Sequence, residues 1–445
     1  MQVIEKIKQA LKTNQFIRIL IELILVIGLF NVHQILGCIF SLIILLEIII
    51  AKDNRNLVYV FIFLSFFDEI LIIDAIQGSL SRIVMIVMFI KMLVIIIKNK
   101  IIPNKYQIGL MSFFLISFFI GIILVGFNIN ALFILFNIVV FVCFSMILKP
   151  KDTDEVNSFI DRLCITIIVA VSNSILYGAM NHKFLTEASG ENIIQRFQGT
   201  YEPNFMSMYI NLAILSVLTI KDRFPKKILA YLLILVFVCA IVATASVTGI
   251  IVLVSSVILY FIFQEKNWKE KVIDLLLIIG LITVVFLGIK LVKTIEPEEK
   301  EQFDSGLETR VDHLNDLVEN GEFDQLTSGR IPLFKTFLSK SFDRPAISIL
   351  FGNDATTKKI YCNFFGRERY SHNSYIDCLY NFGIIGFLLI IGFIGHRTIK
   401  NIYLNCDITE SKYAKNIKII RIMLLIYALA LSLYTKRMFL VFFLL

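Results

Sequence analysis

Apolar residues run through this chain in blocks of helix-spanning length, separated by short polar breaks, from Phe16 almost to the last residue. A lipid hydrocarbon core needs about 20 apolar residues per helix, with a range of about 17–25. By that measure the blocks predict spans near 16–32, 34–51, 57–74, 80–98, 106–126, 130–148, 158–180, 204–220, 227–245, 246–264, 272–292, 374–396 and 417–435. The tail Met438–Leu445 is apolar but too short to cross, which makes it a half helix or a re-entrant end. The pattern is that of an all-α polytopic integral membrane protein with about 13 transmembrane helices (12–14) and one large extracytoplasmic loop. Its organisation reads as membrane helices over 1–292, the loop with amphipathic helices over 293–372, and C-terminal membrane helices over 373–445, all in one functional domain.

Composition narrows the class. Apolar residues make up 57% of the chain and charged ones 18%, against roughly 25% charged in soluble domains. Secreted soluble enzymes, disulfide scaffolds and disordered tails are thereby excluded. The seven cysteines lie mostly inside apolar runs without CxxC spacing, so they read as small hydrophobes, not as a disulfide or zinc framework. The N-terminus shows no cleavable signal, because its apolar run starts after Phe16 and no small-residue cleavage site follows.

Charge sets the orientation. Lys6, Lys8, Lys12 and Arg18 precede or open the first span, and every second loop afterwards is basic: Lys52 and Arg55; Lys98, Lys100 and Lys105; Lys149 and Lys151; Lys221, Arg223, Lys226 and Lys227; Lys266, Lys269 and Lys271; Arg397 to Lys418. Lys and Arg concentrate in cytoplasmic loops, so the N-terminus is expected in the cytoplasm. The net charge of +8 follows from this bias and calls for no nucleic acid. Two sizeable loops, 181–203 and 293–372, are then extracytoplasmic.

The larger loop changes sign along its length. Between Thr294 and Gln325 eleven acidic residues face Lys300 and Arg310, a net of −9, whereas Leu326–Ser371 carries a net of +5. Ile331, Phe334, Phe337, Leu338 and Phe342 form a helix-period apolar stripe beside Lys335 and Lys340, suited to lying along a membrane surface. The basic half reads either as a solvated loop packed on itself or as a lid over an anionic substrate.

Three segments carry candidate chemistry. Gln195–Asn204 reads QRFQGTYEPN, just before a span. Thr327–Arg330 reads TSGR and opens the amphipathic stretch. Ser371–Tyr375 reads SHNSY and is followed by a helix with Gly383 and Gly386 three apart. A lone His372 would serve as an interfacial helix cap. Together, however, the segments resemble the O-antigen ligase/polymerase superfamily, which includes the Wzy-type bacterial glycan polymerases. Members show Arg followed by Gly-Thr and a later Pro-Asn before a helix. A Ser-x-Arg or Ser-Gly-Arg opens their big external loop, and His-Asn ends it before a helix with Gly-x-x-Gly. The resemblance covers roughly residues 195–396. It departs at Ala245–Gly249, where many members carry Ser-Arg and this chain has no Arg.

The resemblance implies glycosyl transfer from an undecaprenyl-pyrophosphate-linked oligosaccharide at the outer face of the bacterial cytoplasmic membrane. The residues agree with that chemistry. Breaking the sugar C1–O bond leaves charge on pyrophosphate, which fixed donors stabilise and which Arg grips bidentately. Arg196 and Arg330 are the candidates. The acceptor hydroxyl must lose a proton, and a His that titrates near neutrality suits the task, so His372 is the candidate base. Asn373, Asn204, Tyr375, Arg344, Lys436 and Arg437 are assigned to substrate binding; Lys436 and Arg437 break the positive-inside pattern and read alternatively as an interfacial anchor. No metal and no cofactor are expected. Partners are the lipid bilayer, the lipid-linked oligosaccharide, a chain-length regulator and a flippase.

Competing signals are weaker. Asp152-Thr153-Asp154 matches a metal-binding Asp-x-Asp, but Asp152 with Glu155 three residues on is a helix-capping arrangement. Asp68, Glu69 and Asp74 fall in or near the third span and should face the protein interior, with Arg82 a partner for Asp74. Three function classes remain: a polymerase of lipid-linked repeat units, a ligase moving finished glycan to lipid A core, wall polymer or protein, and a transporter of lipid-linked sugars. The last predicts inverted repeats and broken helices, neither of which is evident in the sequence.

Overall fold

A computed structural model describes residues 14–50, 53–68, 70–73, 78–148, 150, 152–189, 192–263, 330–352, 359–404, 406–433 and 436–443, with isolated positions between 268 and 283. The predicted span at 272–292 falls almost wholly outside the described residues. The acidic half of the loop, Thr327–Gly329, Glu69 and Asp74 lie outside them too.

Helices dominate. Numbered over the described residues, they are α1 (Gln15–Val32), α2 (Gln34–Ile50), α3 (Arg55–Ser65), α4 (Leu80–Lys98), α5 (Lys105–Val125), α6 (Ile129–Ile147), α7 (Thr153–Met180), α8 (Pro203–Ile220), α9 (Lys227–Ala243), α10 (Val247–Phe263), α11 (Arg330–Phe342), α12 (Ala346–Phe351), α13 (Ser374–Ile399), α14 (Ala414–Ala428) and α15 (Arg437–Phe443). Strands occur as antiparallel two-stranded hairpins: β1–β2 (Ile72–Ile73, Gly78–Ser79), β3–β4 (Phe184–Ser189, Asn192–Phe197), β5–β6 (Ile360–Cys362, Arg367–Arg369) and β7–β8 (Ile402–Tyr403, Cys406–Asp407). Among the described residues six helices are long and apolar enough to cross a membrane, and five further apolar helices of 10–17 residues accompany them. The architecture is that of an all-α, multi-pass membrane protein.

Local chemistry explains the helix starts. Asp152 caps α7 by accepting the Glu155 N–H at 2.8 Å, the role that its spacing predicts. Asn104 and Gln107 form a capping box at α5. Pro203 occupies the first position of α8, where its missing N–H costs nothing. Every residue of α8 from Met206 to Ile220 is buried, so this helix is central and α7, α9, α10 and α14 pack around it.

Two predicted spans are shorter than expected. The segment 57–74 is helical only to Ser65. The Ser65 carbonyl accepts the Tyr201 hydroxyl, and Asp68 meets Arg437 at 3.5 Å, so tertiary partners satisfy groups that would otherwise need a continuing helix. Likewise 417–435 is helical only to Ala428, because the Leu429 and Leu431 carbonyls are taken by the side chains of Asn373 and Ser374. The chain then turns back: Arg421 Nε donates to the Phe442 carbonyl at 2.7 Å, which holds the short, mostly buried α15 against α14.

Helix α13 is broken at Gly383, whose φ of 66° and ψ of −173° are not helical. A Cβ there would lie 2.5 Å from the Leu350 carbonyl, so glycine admits both the left-handed turn and the close approach of α12. The sequence reading of a thinned helix face holds for Gly386, where a Cβ would lie 2.4 Å from the Phe113 ring, but Gly383 acts as a break. The amphipathic helix α11 also turns differently from its predicted stripe. It buries Leu333, Phe337 and Ser341, packing on Ile360, Cys362 and Tyr380, while Ile331, Leu338 and Phe342 are exposed.

Candidate functional site

Four stretches meet at one end of the bundle. The first is the β4–α8 connection. Hairpin register sets Arg196 opposite Leu185 at the end of β4 and turns its side chain toward the link between α9 and α10. Arg196 is 1% exposed; its Nε donates to the Thr244 carbonyl at 3.0 Å and its Nη2 to Asn204 Oδ1 at 2.9 Å. Burying an arginine is costly unless its donors are satisfied, and here they hold two loops together. Asn204 extends the chain of contacts: its Nδ2 donates to Glu202 Oε1 at 2.7 Å, and the Ser246 hydroxyl donates to its Oδ1 at 3.1 Å. Ser246 occupies the turn where many superfamily members carry Ser-Arg.

The second stretch is the first residue of α11. Burial lowers the Arg330 pKa, and the Glu202 carboxylate acts in the opposite sense. Arg330 therefore stands within electrostatic reach of the Asn204–Glu202 strip. The third stretch runs from β6 into α13. His372 adopts a left-handed φ of 52°, uncommon for a non-glycine residue. Its imidazole is pushed down to about 4 by burial first, then by Arg330 and Arg369. Arg369 is itself lowered by burial and by Arg367, and its guanidinium lies 5.0 Å from the Phe365 ring. Arg330 and Arg369 thus both act on His372, with Glu202 the carboxylate that acts on Arg330.

The fourth stretch is the C-terminal turn. Lys436 lies 4.6 Å over the Phe205 ring and 5.3 Å over Tyr201, the aromatic residues that flank Glu202–Asn204. Arg437, by contrast, is buried among α3, α4 and α6: its Nη1 reaches Asp68, its Nη2 donates to the Ser81 hydroxyl at 3.1 Å, and its Nε donates to Asn137 at 3.2 Å. Asp68 is therefore partnered by Arg437. Arg82 lies 4.5 Å over the Phe133 ring.

The remaining assigned residues make specific contacts. Asn373 caps α13, accepting the N–H groups of Tyr375 and Ile376 at 2.9 and 3.1 Å, while its amide donates to the Leu429 carbonyl at 3.0 Å. The Tyr375 hydroxyl donates to the Leu425 carbonyl at 3.0 Å. Arg344 sits away from His372 along α13, donating to the Tyr380 carbonyl at 2.8 Å and stacking 4.4 Å from the Tyr380 ring. Glu202 and Arg369 were not singled out in the sequence. The signal for Glu202 was its place inside QRFQGTYEPN; that for Arg369 was the net positive charge of the loop just before His372.

Among the described residues no group of three or more His, Cys, Asp or Glu side chains is placed to hold a metal ion. Among the described residues, the arrangement brings cations, the His372 imidazole and the Glu202 carboxylate to a loop-lined end of the helix bundle, a setting suited to an anionic ligand.

Residues 230–391, a little over a third of the chain, match the family model described as O-antigen ligase. The match takes in α9, α10 and α11, His372 and most of α13, and it supports membership of the chain in the O-antigen ligase/polymerase superfamily, whose members are membrane glycosyltransferase-like enzymes. No curated protein and no solved structure matches.

Proposed function

We propose that this protein is a polysaccharide polymerase that joins undecaprenyl-pyrophosphate-linked oligosaccharide repeat units at the outer face of the bacterial cytoplasmic membrane. The observation that carries the reading is the placement of Arg330 and Arg369 within electrostatic reach of His372 beside the Arg196–Asn204–Glu202 strip. In the reaction, the acceptor sugar hydroxyl attacks C1 of the donor sugar. The C1–O bond breaks, its electrons pass to pyrophosphate, and the hydroxyl proton passes to His372. Arg330, with Arg369 and Lys436, offsets the charge that develops on the leaving group. Arg196 holds Asn204 and the α9–α10 turn in the geometry that receives the donor. The membrane helices before residue 293, the loop and the C-terminal helices act as one unit.

A ligase of the same superfamily shares every one of these steps and differs in the acceptor. Purified protein in lipid discs, given lipid-linked repeat units alone, separates the two. A polymerase yields a ladder of products; no elongation with repeat units, together with transfer once a lipid A core or wall polymer is added, makes the protein a ligase. The alternation of basic loops supports the orientation. A cysteine at exposed Tyr361 should react with an impermeant reagent on intact cells, and one at exposed Glu410 should not. The reverse labelling would overturn the side assigned to the site.

A further inference from the structure

The His372 ring meets Tyr370 edge-on with centroids 6.3 Å apart, and its backbone is flanked by hydrogen-bonded residues. A non-glycine residue in the left-handed region persists when the surrounding structure enforces it. The enforcing group stands five residues on. Asp377, in the first turn of α13, is 1% exposed. Its Oδ1 accepts the Ser371 hydroxyl and its Oδ2 accepts the Ser432 hydroxyl. Ser371 Oγ in turn accepts the Asn373 N–H at 3.0 Å, and the Asp377 N–H donates to the Asn373 carbonyl at 2.9 Å. The residues on both sides of His372 are therefore pinned within one hydrogen-bonded ring closed by the Asp377 carboxylate.

The second oxygen of that carboxylate reaches another part of the chain. Ser432 belongs to the turn after α14, which is tied to the start of α13 by Asn373 Nδ2 to the Leu429 carbonyl, by Ser374 Oγ to the Leu431 carbonyl at 2.6 Å, and by the Leu433 N–H to Ser374 Oγ at 2.6 Å. Lys436, four residues after Ser432, lies over Tyr201 and Phe205. Ser432 and Lys436 both lie beyond residues 230–391.

We propose that Asp377 is a positioning residue for His372: through Ser371 it fixes the backbone that presents the imidazole, and through Ser432 it locks that backbone to the C-terminal turn. The inference rests on the reading of His372 as the base of glycosyl transfer. With both oxygens occupied by hydroxyls inside the bundle, Asp377 acts on geometry and does not exchange a proton with the acceptor. A misplacement of about 1 Å at a reacting group costs on the order of 10²-fold in rate.

The test uses the full chain in lipid discs, with Asp377→Asn, Ser371→Ala, Ser432→Ala, the double variant Ser371→Ala/Asp377→Asn and His372→Ala at matched abundance. Turnover and binding of polyprenyl pyrophosphate, the donor's charged part, are measured separately. Asp377→Asn should lower turnover about 10²-fold while pyrophosphate binding, which belongs to the arginines, stays at the wild-type level. Ser371→Ala should fall in the same range, Ser432→Ala less, and the double variant no further than Asp377→Asn alone, because the two residues act as one unit. Wild-type turnover in Asp377→Asn overturns the proposal, as does binding that falls in step with turnover, or multiplicative losses in the double variant. Should Asp377→Asn fail to insert, Ser371→Ala decides by the same two readouts. Full activity in His372→Ala would instead remove the base reading itself, an outcome distinct from an active Asp377→Asn beside an inactive His372→Ala.

Discussion

The two ends of the helix bundle use the same side chains in opposite ways. At the end away from His372, cations meet carboxylates: Arg55 pairs with Asp53 at 2.9 Å, Arg162 approaches the same carboxylate at 3.9 Å, and Arg223 reaches Asp161 at 2.9 Å. Tyr413 donates to Asp161 as well, and Ser411 to Asn157. At the His372 end, among the described residues, Arg437 pairs with Asp68, set back among the helices. In front of it Arg330, Arg369 and His372 make no ion pair among the described residues; burial lowers all three, joined by Arg367 at Arg369 and by Arg330 and Arg369 at His372. Paired charge at an interface fastens helices. Half-buried positive charge is costly to maintain and would lower the energy of a polyanion that entered. We read the contrast as one between a structural end and a proposed binding end.

The largest break in that contrast comes from His372→Ala. Loss of a positioned base lowers turnover by about 10²–10⁴-fold, and donor binding should persist because Arg330 and Arg369 remain. Polymer length and donor binding, compared at matched membrane abundance, check both halves. Normal-length polymer would remove His372 from the mechanism.

The arginines come next. Arg330→Lys keeps the charge and loses the planar fork, so donor binding and turnover should both fall, by about tenfold or more, the scale of one charge-assisted hydrogen bond. Arg196→Lys should act differently. Its donors hold Asn204 and the Thr244 carbonyl, so the loss should appear in turnover together with a lower thermal midpoint. A stable Arg196→Lys protein with only weakened donor binding would put Arg196 in direct contact with pyrophosphate.

The pH profile sharpens the same point. Because burial, Arg330 and Arg369 push His372 down to about 4, its neutral, proton-accepting form prevails in the free enzyme above that value. The acid limb of kcat/KM, which reports the free enzyme, should therefore lie near 4 and not at the ordinary histidine value of about 6.5. Arg369→Gln removes one repelling cation and should move the limb to higher pH. A bound pyrophosphate offsets the same cations, so the limb of kcat should lie above that of kcat/KM. A limb at 6.5 in the wild type, unmoved by Arg369→Gln, would mean that the imidazole stands clear of both arginines.

Much of this was legible in the sequence, for physical reasons that also mark where legibility ends. Hydropathy located α1, α2 and α4–α10 to within a few residues, because apolar length is what a bilayer demands. It overran α3 and α14, where a helix stops because distant side chains take its carbonyls: Tyr201 at Ser65, Asn373 and Ser374 at Leu429 and Leu431. Such partners are remote in sequence and leave no local mark. The same holds for the site. Arg196, Arg330 and His372 stood in recognisable segments. Asp377 carries no signal of its own in the sequence, since its meaning depends on Ser432, 55 residues further on. Gly383 was visible, but its role as a break depends on α12 approaching it.

The smallest expected effect lies at the opposite end and serves as the reference for all the others. Arg55 pairs with Asp53 and stands 3.9 Å from Glu155, and about a third of its side chain is exposed. Solvent screens such a pair, which typically contributes about 0–1 kcal/mol, so Arg55→Ala should shift the thermal midpoint only slightly. Asp53 keeps Arg162 at 3.9 Å, which softens the loss further. Glycan transfer and donor binding should match the wild type, because no residue of the Arg330–His372 cluster touches this end. A turnover loss in Arg55→Ala comparable to that of Arg330→Lys, at equal abundance, would show that the two ends are energetically coupled through the bundle. The separation of a fastening end from a binding end would then fail.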